Sequence, residues 1–149
     1  MERFAERYWG RFTGCIRWEQ AEDAARGVEA MGGVWYAARP EAEESDDAER
    51  LDGAGAARLL RTRLAEMRRL KKGEFCNLVF VDDAEAPNLI KIFHPRRAGD
   101  ACRVGGEPVR PWLVLSRYPV DPTVFAPRGE GREGKRTWWK RMLRIGAPE

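Results

Sequence analysis

The strongest pattern along the chain is helical. Between Asp52 and Lys72, Ala56, Leu59, Leu60, Leu64, Met67 and Leu70 recur at three- and four-residue spacing. Asp52 precedes this stripe as a candidate N-cap, and Gly73 follows it as a stop signal. A second helix is expected from Glu19 to Met31, with Ala21, Ala24, Ala25 and Val28 on one side and Gly32-Gly33 at its end. Phe4, Tyr8 and Phe12 recur every fourth residue and predict a short opening helix.

Alternation of period two marks the strands. From Phe12 to Trp18 it puts Phe12, Ile16 and Trp18 on one face, and Val34 to Ala38 reads as the next strand. Phe75–Val81 and Leu89–Phe93 flank the acidic, proline-bearing turn Asp82–Asn88 and predict a hairpin. Trp112–Ser116, between Pro111 and Pro119, is a further strand. Arg39–Asp52 holds Glu41, Glu43, Glu44, Asp46, Asp47 and Glu49 with almost nothing apolar, so it reads as an exposed loop. Residues 95–110, rich in Gly, Pro and charge, read as another.

These elements predict one α+β domain over residues 1–127: a two-layer sandwich in which a mainly antiparallel sheet of about five strands carries two or three helices on one face. The early strand, helix and strand are expected to add one parallel pair by right-handed crossover. Residues 128–149 follow as a Gly-rich linker, Arg128 to Gly134, and a basic segment bearing Trp138 and Trp139.

The chain has 149 residues and a formal net charge of only +3, yet the charge is unevenly spread. Residues 1–52 carry −6 and the remainder +9. No apolar run approaches the roughly 18 to 20 residues needed to cross a bilayer. Charge stands where a signal peptide would be apolar, and three cysteines make no paired framework, so a cytoplasmic protein is expected. Few serines beside abundant Ala, Arg and Gly suit a GC-rich bacterial genome.

Candidate chemistry concentrates in the basic segment. Lys135, Arg136, Lys140, Arg141 and Arg144 surround Trp138 and Trp139, a composition that suits docking to a protein partner, stacking on nucleic acid or settling at a membrane surface. A protein partner is the first expectation, nucleic acid the second and a membrane the third. Solvated charge with indoles folded onto the core is the plain alternative. Arg58, Arg61, Arg68, Arg69, Lys71 and Lys72 give the long helix a second basic surface, for which solvated charge is the commonest explanation.

His94 is the only histidine, so a thiol site would pair it with Cys102, whose neighbouring arginines favour the thiolate. Cys15, Cys76, His94 and Cys102 are the right ligand types for zinc or an iron-sulfur cluster, but none has a closely spaced partner, and no metal or cofactor is expected. Asp82, Asp83 and Glu85 read as turn residues rather than a cation site. Gly129 to Lys135 matches the start of a phosphate-binding loop, but Arg136 takes the Ser/Thr place and no strand precedes it. Two serines, Ser45 and Ser116, show no nucleophile-elbow pattern. The leading expectation is therefore a non-enzymatic accessory or adaptor protein. The alternatives are a small enzyme or redox protein using Cys102 and His94, and a nucleic-acid-binding protein.

Overall fold

The computed structural model describes residues 2–40, 48–71, 73, 75–97 and 110–125. In chain order its elements are α1 (Glu2–Tyr8), β1 (Thr13–Gly14), α2 (Trp18–Met31), β2 (Val34–Ala38), β3 (Glu49–Asp52), α3 (Gly53–Leu70), β4 (Val79–Val81), β5 (Leu89–Ile92) and β6 (Leu113–Ser116). Short 3-10 turns lie at Pro95–Arg97 and Pro122–Phe125. The fold is α+β, and no helix among the described residues is long and apolar enough to cross a membrane.

Local chemistry sets the helix boundaries. The Asp52 carboxylate accepts from the Gly55 backbone N–H at 2.8 Å, satisfying one of the orphan donors at the start of α3. Gln20 reaches back to accept from the Arg17 N–H at 2.8 Å at the start of α2. That helix stops where Gly32 and Gly33 take φ of 60° and 75°. The start of α3 crosses this corner so closely that a Cβ on Gly53 would stand 2.6 Å from the Gly32 Cα. Ala21, Ala24, Ala25 and Val28 of α2 then bury against Ala56, Leu60, Leu64 and Met67 of α3. Leu70, at the end of the same stripe, is left exposed.

Six strands form one sheet in the order β1-β4-β5-β6-β2-β3, and every neighbouring pair is antiparallel. The expected parallel pair is absent from it. β1 and β2 run in the same direction, but the meander β4-β5-β6 lies between them. These inserted strands hold the chain's most continuous apolar runs, and the middle of the sheet is the place where both faces can be covered. Leu89, Ile90, Ile92, Leu113, Val114 and Leu115 are accordingly all buried.

The loop expected over Arg39–Asp52 also needs correction at its end. Residues Glu49–Asp52 are a strand that pairs with β2, Val34 opposite Asp52 and Ala37 opposite Glu49. The free edge of β2 requires hydrogen-bond partners, and a segment alternating charge around Leu51 tolerates the exposed position. Residues 41–47 lie outside the described set.

Near β1 the alternation holds from Phe12, on the α1 side, to Cys15, on the α2-α3 side, while Trp18 leaves the expected face because it begins α2. Cys15 turns inward while Ile16 is 53% exposed. Opposite them, Asn77 takes a φ of 55° and donates to the Cys15 carbonyl, while the Cys15 N–H bonds to Val79. Between the Gly14–Phe80 pair and the Arg17–Phe75 bridge, two residues thus face four, a bulge in the segment opposite Cys15.

Helices α2 and α3 share one core cluster with Trp35, Ala37, Val79, Val81, Ile90, Ile92, Leu113 and Leu115. Phe4 and Tyr8 of α1 gather with Ala38, Leu89 and Val114 in a second cluster, joined by Val124 of the last 3-10 turn. Alternation along the strands assigns these two sets to opposite faces. The middle of the sheet is therefore covered on both sides, the second cover being α1 and Pro122–Phe125.

Candidate functional site

β5 ends before Pro95, which cannot donate to a ladder. Beyond it, Phe93 donates to Leu78 and Trp112 donates to Ile92, so the chain stays zipped just past the regular strands. This places His94 and Trp112 side by side at one end of the sheet. Their rings lie 4.6 Å apart, edge to face, and Trp112 also packs against the α2-α3 core. From α3 the Arg63 guanidinium lies 4.7 Å over the Trp112 ring.

Hydrogen bonding in this cluster is lopsided. His94 Nδ1 accepts from the Arg96 backbone N–H at 3.1 Å, so in the neutral ring the proton sits on Nε2. Arg63 makes no hydrogen bond or ion pair among the described residues, and its Nε is buried without a partner. Burial, then the nearby charge of Arg39, lowers its pKa, with Glu66 acting in the opposite sense. Arg39 itself is held by Glu49 at 3.0 Å.

The basic surface expected on α3 is partly neutralised by α2. Arg61 bridges Glu22 at 2.8 Å and Glu29 at 3.0 Å. These hydrogen-bonded carboxylates hold its pKa above the usual arginine value. Arg68 lies 5.1 Å over Trp18, whose indole N–H donates to the Gly73 carbonyl. Trp18, Glu19, Glu22, Arg26, Leu64 and Arg68 line a groove of about 390 Å³ between the two helices. Its walls carry both signs of charge.

Of the expected site residues, His94 alone falls within the described part of the chain. Cys102 and the segment residues Lys135, Arg136, Trp138, Trp139, Lys140, Arg141 and Arg144 lie outside it. Cys15 and Cys76 are buried free thiols on neighbouring segments. Burial, reinforced by Cys76 and Asp23, pushes the Cys15 pKa up to about 11, and burial also raises that of Cys76. Both are neutral near pH 7 and are poor nucleophiles there. Among the described residues no group of three His, Cys, Asp or Glu side chains is placed to hold a metal ion. The turn carboxylates bond to backbone: Asp82 accepts from Asn88 and Leu89, and Asp83 from Glu85 and Ala86.

Lys91 is the residue that sequence reasoning passed over. It faces the α1 side of the sheet, with Nζ 4.0 Å from the Tyr8 ring centre, 4.1 Å from Phe12 and 5.8 Å from Trp9. Burial pulls its pKa down to about 8, and no carboxylate among the described residues forms an ion pair with it. The available signal was a single cation inside the apolar run Leu89-Ile90-Lys91-Ile92-Phe93. Arg63 carried a comparable one, because its spacing from Leu60 and Met67 puts it at the rim of the apolar stripe.

Comparison with models of known protein families, with curated proteins and with solved structures finds no match for this chain.

Proposed function

We propose that this is a non-enzymatic accessory protein of the cytoplasm that binds another macromolecule, in the first instance a protein, through the basic tryptophan-bearing segment at 135–145. The observation that carries this reading is where the net charge resides. Residues 1–127 hold 20 basic and 21 acidic side chains, whereas residues 128–149 hold 7 and 3. The excess positive charge of the whole chain therefore belongs to its last 22 residues.

Cations within the body support the contrast. Arg26, Arg39 and Arg61 each meet a carboxylate of the same body. Residues 135–145, by comparison, combine Lys135, Arg136, Lys140, Arg141 and Arg144 with two indoles and no acid. Long-range attraction by such a segment accelerates encounter with an anionic surface, while buried indoles supply most of the affinity.

The test compares proteins captured from the native cell by the full chain, by a full-length Trp138→Ala/Trp139→Ala variant and by a chain ending at Gly131. Partners retained by the first and lost by both others support the reading. The same partners on all three reject it. Nucleic acid in place of protein would show as retention on single or double strands that falls steeply as salt rises.

A further inference from the structure

We infer that the end of the sheet around Trp112 is a binding site for a phosphoryl group, with the Arg63 guanidinium and the His94 Nε2–H as its two donors. The site stands on residues other than the basic segment and does not depend on the function proposed above. It begins from an unexplained observation. A guanidinium carries five N–H donors, and among the described residues Arg63 spends none of them. Its Nε is shut off from water, and Arg39 stands close enough to repel it. For a fold alone this arrangement is a liability, since an apolar side chain of similar length would serve the α3 stripe better.

The geometry fits an anion site. Trp112 holds the guanidinium through its face, 4.7 Å away, so orientation is fixed without using any N–H. Arg63 as a whole is only partly buried, and Nε is its buried, unpartnered atom. His94 is fixed in the same manner. Its Nδ1 is occupied by the Arg96 N–H and its ring stands edge to face against Trp112, leaving Nε2–H as the donor of the neutral ring.

Two donors about one ring, with no carboxylate among the described residues paired to either, suit a tetrahedral oxyanion that offers several acceptor oxygens. Two acids among the described residues are otherwise placed. Glu49 is taken by Arg39, and Glu66 influences the Arg63 charge without forming an ion pair with it. Because Arg63 already covers one face of the indole and His94 abuts it, no base needs to stack there. Inorganic phosphate and the phosphate of a phosphorylated small molecule are thus the two sources of the same ligand chemistry.

The single histidine makes the test direct. The full-length protein, isotope-labelled, is titrated with inorganic phosphate, ribose 5-phosphate and adenosine monophosphate at constant ionic strength, following the imidazole resonances. A saturable His94 shift is expected, with adenosine monophosphate no tighter than ribose 5-phosphate. Preference for the esters over inorganic phosphate assigns the source to a phosphorylated metabolite, and the reverse assigns it to the free ion. Arg63→Gln is expected to weaken binding roughly tenfold to a hundredfold, the loss of charge-assisted hydrogen bonds. Arg58→Gln, an exposed change on α3, is expected to leave it intact.

Thermal unfolding guards against a folding artefact. In chloride, Arg63→Gln is expected to melt no lower than the wild type, and phosphate is expected to raise the melting temperature of the wild type alone. Should Arg63→Gln fail to fold, Arg63→Lys keeps a point charge without the fork and is expected to bind with intermediate affinity. No saturable shift in the wild type, or an equal midpoint in the Arg63 variant that folds, overturns the inference.

Discussion

Replacing Lys91 with Met tests the energetics of the α1 side of the sheet. Unfolded, this lysine titrates near its ordinary 10.5, and folded it titrates near 8. Between those values the unfolded chain holds a proton that the native chain has lost, so native stability rises with pH across that window and is lowest below it. From about pH 7.5 to about pH 9.5 the linkage integral gives a gain of about 2 kcal/mol. Residual contact with water and attraction to the Tyr8 and Phe12 rings trim this to about 1 to 2 kcal/mol.

Met fills a similar volume and does not titrate, so Lys91→Met is expected to lack this gain. Other groups also titrate here. Cys15, whose thiol is pushed from 9.0 up to about 11, loses its contribution as pH rises above 9. Tyr8, raised by burial, does the same above 10. Cys15 lies on the other side of the sheet and cancels in the difference between wild type and variant, and Tyr8, which Lys91 touches, titrates above the window measured. Urea denaturation at three or four pH values is the assay. A difference curve flat to within about 0.3 kcal/mol would show that the amine is not desolvated by α1 at all.

Three further outcomes follow from the packing. Asp52→Ala removes the cap on Gly55 and is expected to cost about 1 kcal/mol in urea denaturation. Gly53→Ala drives a methyl group into the Gly32 backbone and is expected to destabilise by about 1 to 3 kcal/mol, seen as a melting temperature lower by several degrees. A variant retaining only Cys15 and Cys76 is expected to react with an aromatic disulfide reagent at neutral pH only on unfolding. Fast labelling in the native state would contradict their burial.

Elements whose own residues determine them were legible in the chain. Leu60, Leu64 and Met67 specify α3 by spacing, Asp52 marks its start, and β2 falls on Val34–Ala38 as expected. β3 was not legible, because only Leu51 in it is apolar and its strand character comes from the unpaired edge of β2. The bulge opposite Cys15 was hidden for a similar reason, since it lies at Asn77, far away in sequence. Of the candidate sites, His94 was named from its rarity, but its setting was not. Arg63 and Trp112 are brought to it by α3 and β6, and periodicity alone cannot give the distance between residues on separate elements.

The interposition of β4-β5-β6 between β1 and β2 has a consequence for how the chain matures. As the polypeptide leaves the ribosome, every element from α1 to α3 emerges before β4, and α2 and α3 can pair locally at once. Trp35 and Ala37, however, face a sheet whose middle is encoded only from Val79 to Ser116. Until that stretch is released, the nascent half exposes a greasy surface with nothing to lie against. Such a molecule cannot close its sheet until Ser116 is clear of the ribosome, and this interval is the one in which holding factors that shield emerging chains would act.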